Sequence, residues 1–131
     1  MPFTKISLIK GKNKSFLQVF KEEILSSLIN ILKLPSDDRN IFLMEYEEES
    51  FEMKDPYEYL IEIAMFFGRS DETKKLLFKT IVDSLNAKLN IKKESIFIFI
   101  NEQPLNNWGV RGGKSAEEVD LGFKVNIKQN K

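Results

Sequence analysis

Two residue types that carry much of enzyme chemistry are missing from this 131-residue chain, which has no cysteine and no histidine. Their absence removes thiol nucleophiles, disulfides, imidazole bases and zinc sites of the usual kinds. An excess of one charge is lacking too, because 20 basic and 20 acidic side chains cancel. No overall field is left to attract nucleic acid or an anionic membrane. No apolar run approaches the roughly 18 residues of a membrane span, and no basic stretch leads into an apolar one as in a signal peptide. The expectation is a cytoplasmic protein with neither nucleic acid nor membrane as partner. Any catalysis must come from amines, carboxylates, arginine or tyrosine.

What is present begins with Pro2. Once Met1 is excised, Pro2 becomes a secondary amine that can serve as acid, base or nucleophile. It runs directly into Phe3-Thr4-Lys5-Ile6-Ser7-Leu8-Ile9, a β-branched and apolar segment that reads as a strand and would hold the amine inside the fold. With 42% hydrophobic residues, the chain is expected to form one domain over residues 1–131 with a sizeable core.

The rest reads as two copies of one plan. Gly11 and Asn13 mark a turn, and Leu17, Phe20, Ile24, Leu28 and Ile31 recur at helical spacing. The helix should stop before Pro35, and Pro35-Ser36-Asp37-Asp38-Arg39 reads as a polar turn. Ile41 to Met44 with Tyr46 follows as a strand. Its acidic tail, Glu45 to Glu52, reads as a solvated connection rather than a metal site, since no ligand spacing is present. The second copy has a strand over Tyr59 to Phe67, a Gly68-Arg69-Ser70 turn, and a helix with a stripe at Phe78, Ile81, Val82, Leu85 and Leu89. Ser70 suits the N-cap and Asn90 the exit. Ser95 to Ile100 is a further strand. The pattern predicts an α/β (α+β) fold: two β-α-β units, about 2–55 and 56–127, forming a four-stranded sheet with two helices on one face.

Two helices cover one side of such a sheet, yet strands 60–67 and 96–100 are apolar on both sides. The second face therefore needs a partner, and self-association would bury it. The segment Glu102 to Gly113 is polar, glycine-rich and holds the single tryptophan. A last short strand is expected over Leu121 to Ile127.

Together, Met1-Pro2, Pro35-Ser36-Asp37-Asp38-Arg39, Gly68-Arg69-Ser70-Asp71-Glu72-Thr73-Lys74, Asn107 to Gly113 and Glu118 to Phe123 resemble the tautomerase superfamily. The likeness covers nearly the whole chain. It is similar above all to the longer-chain branch that includes malonate semialdehyde decarboxylase, with both units on one polypeptide. The resemblance implies a homotrimer, a small carboxylate-bearing substrate, and no metal or organic cofactor. It also implies that the Pro2 nitrogen carries the chemistry. In tautomerases this amine is a general base, and in decarboxylases it stays charged and acts as an acid. An ordinary α-amino group titrates at about 7.7–8.0, so burial, arginine and carboxylate neighbours decide which.

By the same resemblance Arg69 binds the substrate carboxylate, which a planar guanidinium does with two parallel hydrogen bonds. Read from the residues alone, Arg69 could instead pair with Asp71 or Glu72. Asp38 matches an acidic residue that assists proton transfer, although Asp37 and Asp38 could also be turn or cap residues. Phe67 stands where the decarboxylases and dehalogenases carry a second arginine, which argues against that chemistry and makes Phe67 an apolar wall. Trp108 and Arg111 are candidates to cap the pocket, with plain packing the alternative for Trp108. The expected function is a tautomerase that interconverts keto and enol forms of a small 2-oxo acid. The alternatives are a decarboxylase or hydratase of a 3-oxo or unsaturated acid, and a non-catalytic trimer that binds a ligand or partner.

Overall fold

The computed structural model describes residues 2–123. Strand β1 (Pro2–Ile9) leads into helix α1 (Lys14–Leu32) and strand β2 (Ile41–Tyr46). The plan repeats as β3 (Tyr59–Phe66), α2 (Asp71–Leu89) and β4 (Ile96–Gln103). The sheet order is β2-β1-β3-β4, with β1 parallel to β2, β3 parallel to β4, and β1 antiparallel to β3. Each crossover helix thus makes a parallel pair, and the central antiparallel pair joins the two units about an approximate twofold axis. This is the predicted α+β arrangement.

Both helices start and stop where their sequence says. The Asn13 side chain accepts from the Phe16 N–H and caps α1, as Ser70 accepts from Thr73 and caps α2. Lys33 and Asn90 end the helices in the left-handed conformation. The 19-residue helices pack on one sheet face through Phe20, Ile24, Leu28 and Leu32 of α1 and Leu77, Ile81 and Leu85 of α2. They meet Ile6 and Leu8 of β1 and Ile61, Ile63 and Met65 of β3, all buried. Side chains of this size stabilise by about 1.5–3 kcal/mol each on full burial, so this layer is the dominant favourable contribution.

The alternate residues point the other way. Phe3, Phe42, Met44, Phe97 and Phe99 are exposed there, Phe99 to 50%. No helix among the described residues is long and apolar enough to cross a membrane.

The expected strand limits are corrected. Strand β3 ends at Phe66 rather than Phe67, and β4 runs on to Gln103, so Glu102 and Gln103 belong to the sheet rather than to a loop. In the glycine-rich segment that follows, β5 (Gly109–Val110) and β6 (Lys114–Ser115) form a small hairpin. Residues Leu121 to Phe123 are not a strand, because their backbone bends at Gly122, and the remainder of that expected strand lies outside the described residues.

Candidate active site

One end of the sheet collects the start of β1, the entry to β2 and the C-terminal ends of β3 and β4. Parallel pairing within each unit and antiparallel pairing between units force this convergence. On the last rungs Pro2 faces Met65, and Met65 faces Glu102. Pro2, Met65 and Glu102 therefore share the helix-covered face, and Phe67 lies one strand-step beyond Met65 on that side. The Phe67 N–H donates to the Gln103 carbonyl at 2.9 Å, which continues the β3–β4 ladder past the end of β3.

Asn40 joins this end together. Its side-chain amide donates to the Pro2 carbonyl at 3.2 Å and to Asp38 Oδ1 at 2.8 Å. Its own carbonyl accepts from the Thr4 N–H at 2.9 Å. The side chain thereby ties the Asp38 carboxylate to the first peptide of β1. Sequence reasoning missed Asn40, since no periodicity marks a lone polar residue at a strand entrance.

Arg69 leaves β3 through Gly68, whose φ of 133° suits glycine. Its Nη1 donates to the Leu32 carbonyl at 2.7 Å, so the guanidinium closes the last turn of α1. The expected alternative, pairing with Asp71 or Glu72, is absent among the described residues. Burial lowers the Arg69 pKa from its ordinary value. The group remains cationic at neutral pH.

Trp108 packs edge-on against Phe66, with ring centroids 4.8 Å apart, and against Phe3 at 6.3 Å. Its indole N–H donates to the same Gln103 carbonyl that Phe67 uses. The packing role is thus met on one side of the ring, which stays half-buried. Arg111 sits in the turn of the β5–β6 hairpin at a φ of 49°, followed by Gly112 and Gly113 at positive φ. It shares a cleft of about 210 Å³ with Pro35, Asp37, Asp38, Leu121 and Phe123.

The structure therefore links Pro2 to Asp38 through Asn40, sets Phe67 two residues past the Met65 that pairs with Pro2, and places Arg111 in one cleft with Asp38. It packs Trp108 against Phe3 on the uncovered sheet face, opposite Pro2, and fixes Arg69 at the end of α1, three residues before Pro35 of the cleft. Glu102 is a second residue that the sequence did not reveal. Its Oε1 pairs with Lys74 at 2.7 Å, and its Oε2 is buried without a partner among the described residues. Only the extra length of β4 brings it onto the Pro2 rung. No group of three or more acidic side chains among the described residues is placed to hold a metal ion.

Residues 38–111, more than half of the chain, match the Tautomerase_2 family, described as tautomerase enzyme. The chain belongs to the tautomerase family. The match spans Asp38, Phe67, Arg69, Trp108 and Arg111 and stops short of Pro2. Among individual proteins, the probable tautomerase YusQ of Bacillus subtilis (strain 168) is 28% identical over 124 residues, which cover 88% of this tautomerase-family chain and 97% of YusQ. A solved malonate semialdehyde decarboxylase superposes with a TM-score of 0.79 at 17% identity, covering 88% of this chain and 94% of its own. A fused 4-OT described as a symmetric trimer superposes with a TM-score of 0.79 at 16% identity, covering 88% of this chain and 96% of its own. At such identities these two structures bear on the fold alone.

Proposed function

We propose that this protein is a tautomerase that interconverts the keto and enol forms of a small 2-oxo acid. With Met1 removed, the Pro2 amine takes the proton from the carbon next to the carbonyl while the carbonyl oxygen gains one. The reverse transfer regenerates the keto acid, so the net change is one proton moved between carbon and oxygen. Arg69 holds the substrate carboxylate, its orientation preset by the bond to Leu32, and Asp38 assists the proton transfer. Phe67 forms an apolar wall, Trp108 caps the opposite sheet face through Phe3 and Phe66, and Arg111 closes the rim beside Asp38.

The observation that carries this reading is the Asn40 side chain, bonded to both the Pro2 carbonyl and Asp38. These bonds tie the first peptide of β1 to a carboxylate, which supports a proton-transfer role for the Pro2 amine. Phe67 supports tautomerisation over decarboxylation: it stands where the resembling decarboxylases carry a second arginine, so a guanidinium that would stabilise developing charge is lacking there. The test follows ketonisation of enol-phenylpyruvate by absorbance, with mass spectrometry to verify loss of Met1. Full activity in a protein with residues added before Pro2 would sink the mechanism. Retention of Met1 would rule out catalysis by the Pro2 nitrogen and favour the non-catalytic alternative.

The protein acts as a homotrimer in this reading. Its support is the apolar sheet face bearing Phe42, Met44, Phe97 and Phe99, too extensive to be left in water. Sedimentation should give a trimer at micromolar concentration, and Phe99→Glu should shift it to smaller species. A wild-type monomer would refute the assembly.

A further inference from the structure

The approximate twofold axis that relates the two β-α-β units gives the sheet a second end, built like the first. Thr4 pairs with Ile41 on the first rung of β1 and β2, as Tyr59 pairs with Ile96 on the first rung of β3 and β4. Arg69 directly precedes the N-cap of α2, as Lys12 directly precedes the N-cap of α1. Arg69 reaches the last turn of α1 at Leu32. Lys12 in turn shares a cleft with the end of α2, at Leu89, Asn90, Ile91 and Lys92. By position, Lys12 is the counterpart of Arg69, and Tyr57 the counterpart of Pro2.

This second end is hollow. Two clefts of about 260 and 180 Å³ share Lys12, Glu58 and Tyr59 as lining. Leu8, Ile9 and Gly11 complete one of them, and Phe16 and Ile91 wall the other. These volumes suit a small acid rather than a nucleotide. Among the cations here, Lys10 is already paired with Glu47 at 2.6 Å. Lys12 has no carboxylate within ion-pair distance among the described residues, and its ammonium lies 5.1 Å from the centre of the Phe16 ring. The Tyr59 side chain is buried with its hydroxyl beside Lys12. Ser95 is occupied, donating to the Lys92 carbonyl at 2.6 Å.

We propose that this far cleft binds a small monocarboxylate, with the Lys12 ammonium and the Tyr59 hydroxyl on the carboxylate and Leu8, Ile9 and Phe16 against the apolar body. Glu58 in the lining opposes a second negative charge, which selects a monocarboxylate over a phosphate dianion. Binding there is without proton transfer, because Tyr57 lies within the chain and its nitrogen is a peptide nitrogen. The ligand class rests on the carboxylate reading of Arg69, of which Lys12 is the counterpart.

The test is titration of the full chain with benzoate, an unreactive monocarboxylate, followed by amide chemical shifts. Two separate groups of shifts are expected, one about Asn40 and Arg69 and the other about Lys12, Glu58 and Tyr59. Lys12→Gln should weaken the second group by about tenfold, the worth of one charged hydrogen bond, and leave the first unchanged. Lys12→Arg should retain it. Shifts at the near end alone would overturn the far site and leave the tautomerase reading standing. Shifts at neither end would overturn both. Far-end shifts that survive Lys12→Gln, or inorganic phosphate binding there more tightly than benzoate, would refute the assigned chemistry.

Discussion

The two ends of the sheet share a scaffold and differ in one covalent fact. At the near end β1 starts at Pro2, so removal of one residue frees an amine beside Asn40 and Asp38. At the far end the chain passes through Tyr57 into β3, and the same corner of the fold holds an ordinary peptide. The cations differ as well: a guanidinium locked onto the end of α1 at one end, an ammonium over the Phe16 ring at the other. A fork fixes the plane of a carboxylate, whereas an ammonium attracts it without fixing its orientation. On the proposed reading, the repeat duplicates a scaffold for binding without duplicating the free amine.

The strongest way to break this contrast is to remove the free amine. Adding a residue ahead of Pro2 should lower the rate of enol-phenylpyruvate ketonisation by about 10²- to 10⁴-fold, the usual worth of a positioned general base. Benzoate shifts at the far end should be untouched. Loss of both together would mean that the extension disturbs the fold rather than the amine, and circular dichroism would then show it.

Next in size is the exchange of cations. Arg69→Ala should reduce kcat/KM by about 10- to 100-fold, as expected for a charged hydrogen-bonding group. It should also destabilise the protein by about 1 kcal/mol, because the Leu32 carbonyl loses its donor. Lys12→Gln should leave kcat/KM within twofold. If the two substitutions cost the same activity, the assignment of catalysis to the near end fails. Smaller again is Asn40→Ala, expected to slow turnover about fivefold by releasing Asp38 from the Pro2 peptide. A positioning role predicts an altered pH–rate profile with little change in melting temperature, whereas a purely structural role predicts the reverse.

How much of this was legible before the fold was known depended on range. Helix limits at Ser70 and Asn90 could be read because caps are local, and the two-sided apolar pattern of β4 announced an uncovered face. Arg69 could be singled out, but its bond to Leu32 could not, because the partner lies 37 residues away on another element. Asn40 and Glu102 were silent for the same reason. Their neighbours come from strand register, which a run of residue types does not encode. The hairpin that carries Arg111 was hidden by its glycines, which suit a loose loop and a tight turn equally.

The smallest expected effect separates the ends by their response to alkali. Thr4 and Tyr59 occupy matching rungs, and only Tyr59 titrates. Burial raises the Tyr59 pKa above its ordinary value near 10, against the opposing pull of Lys12. The folded protein therefore holds this proton more tightly than the unfolded chain. The resulting stabilisation is fully present below the unfolded value and is lost as pH rises through the folded one. Urea unfolding of the wild type between about pH 8 and 11 should show this alkaline decline. Tyr59→Phe should flatten it, so that the difference in stability between the two proteins stays constant below the tyrosine range and narrows above it. A difference that stayed constant across the whole range would show that the Tyr59 hydroxyl is as well solvated as in the unfolded chain, and the far cleft would then lack the enclosed phenol on which its proposed ligand depends.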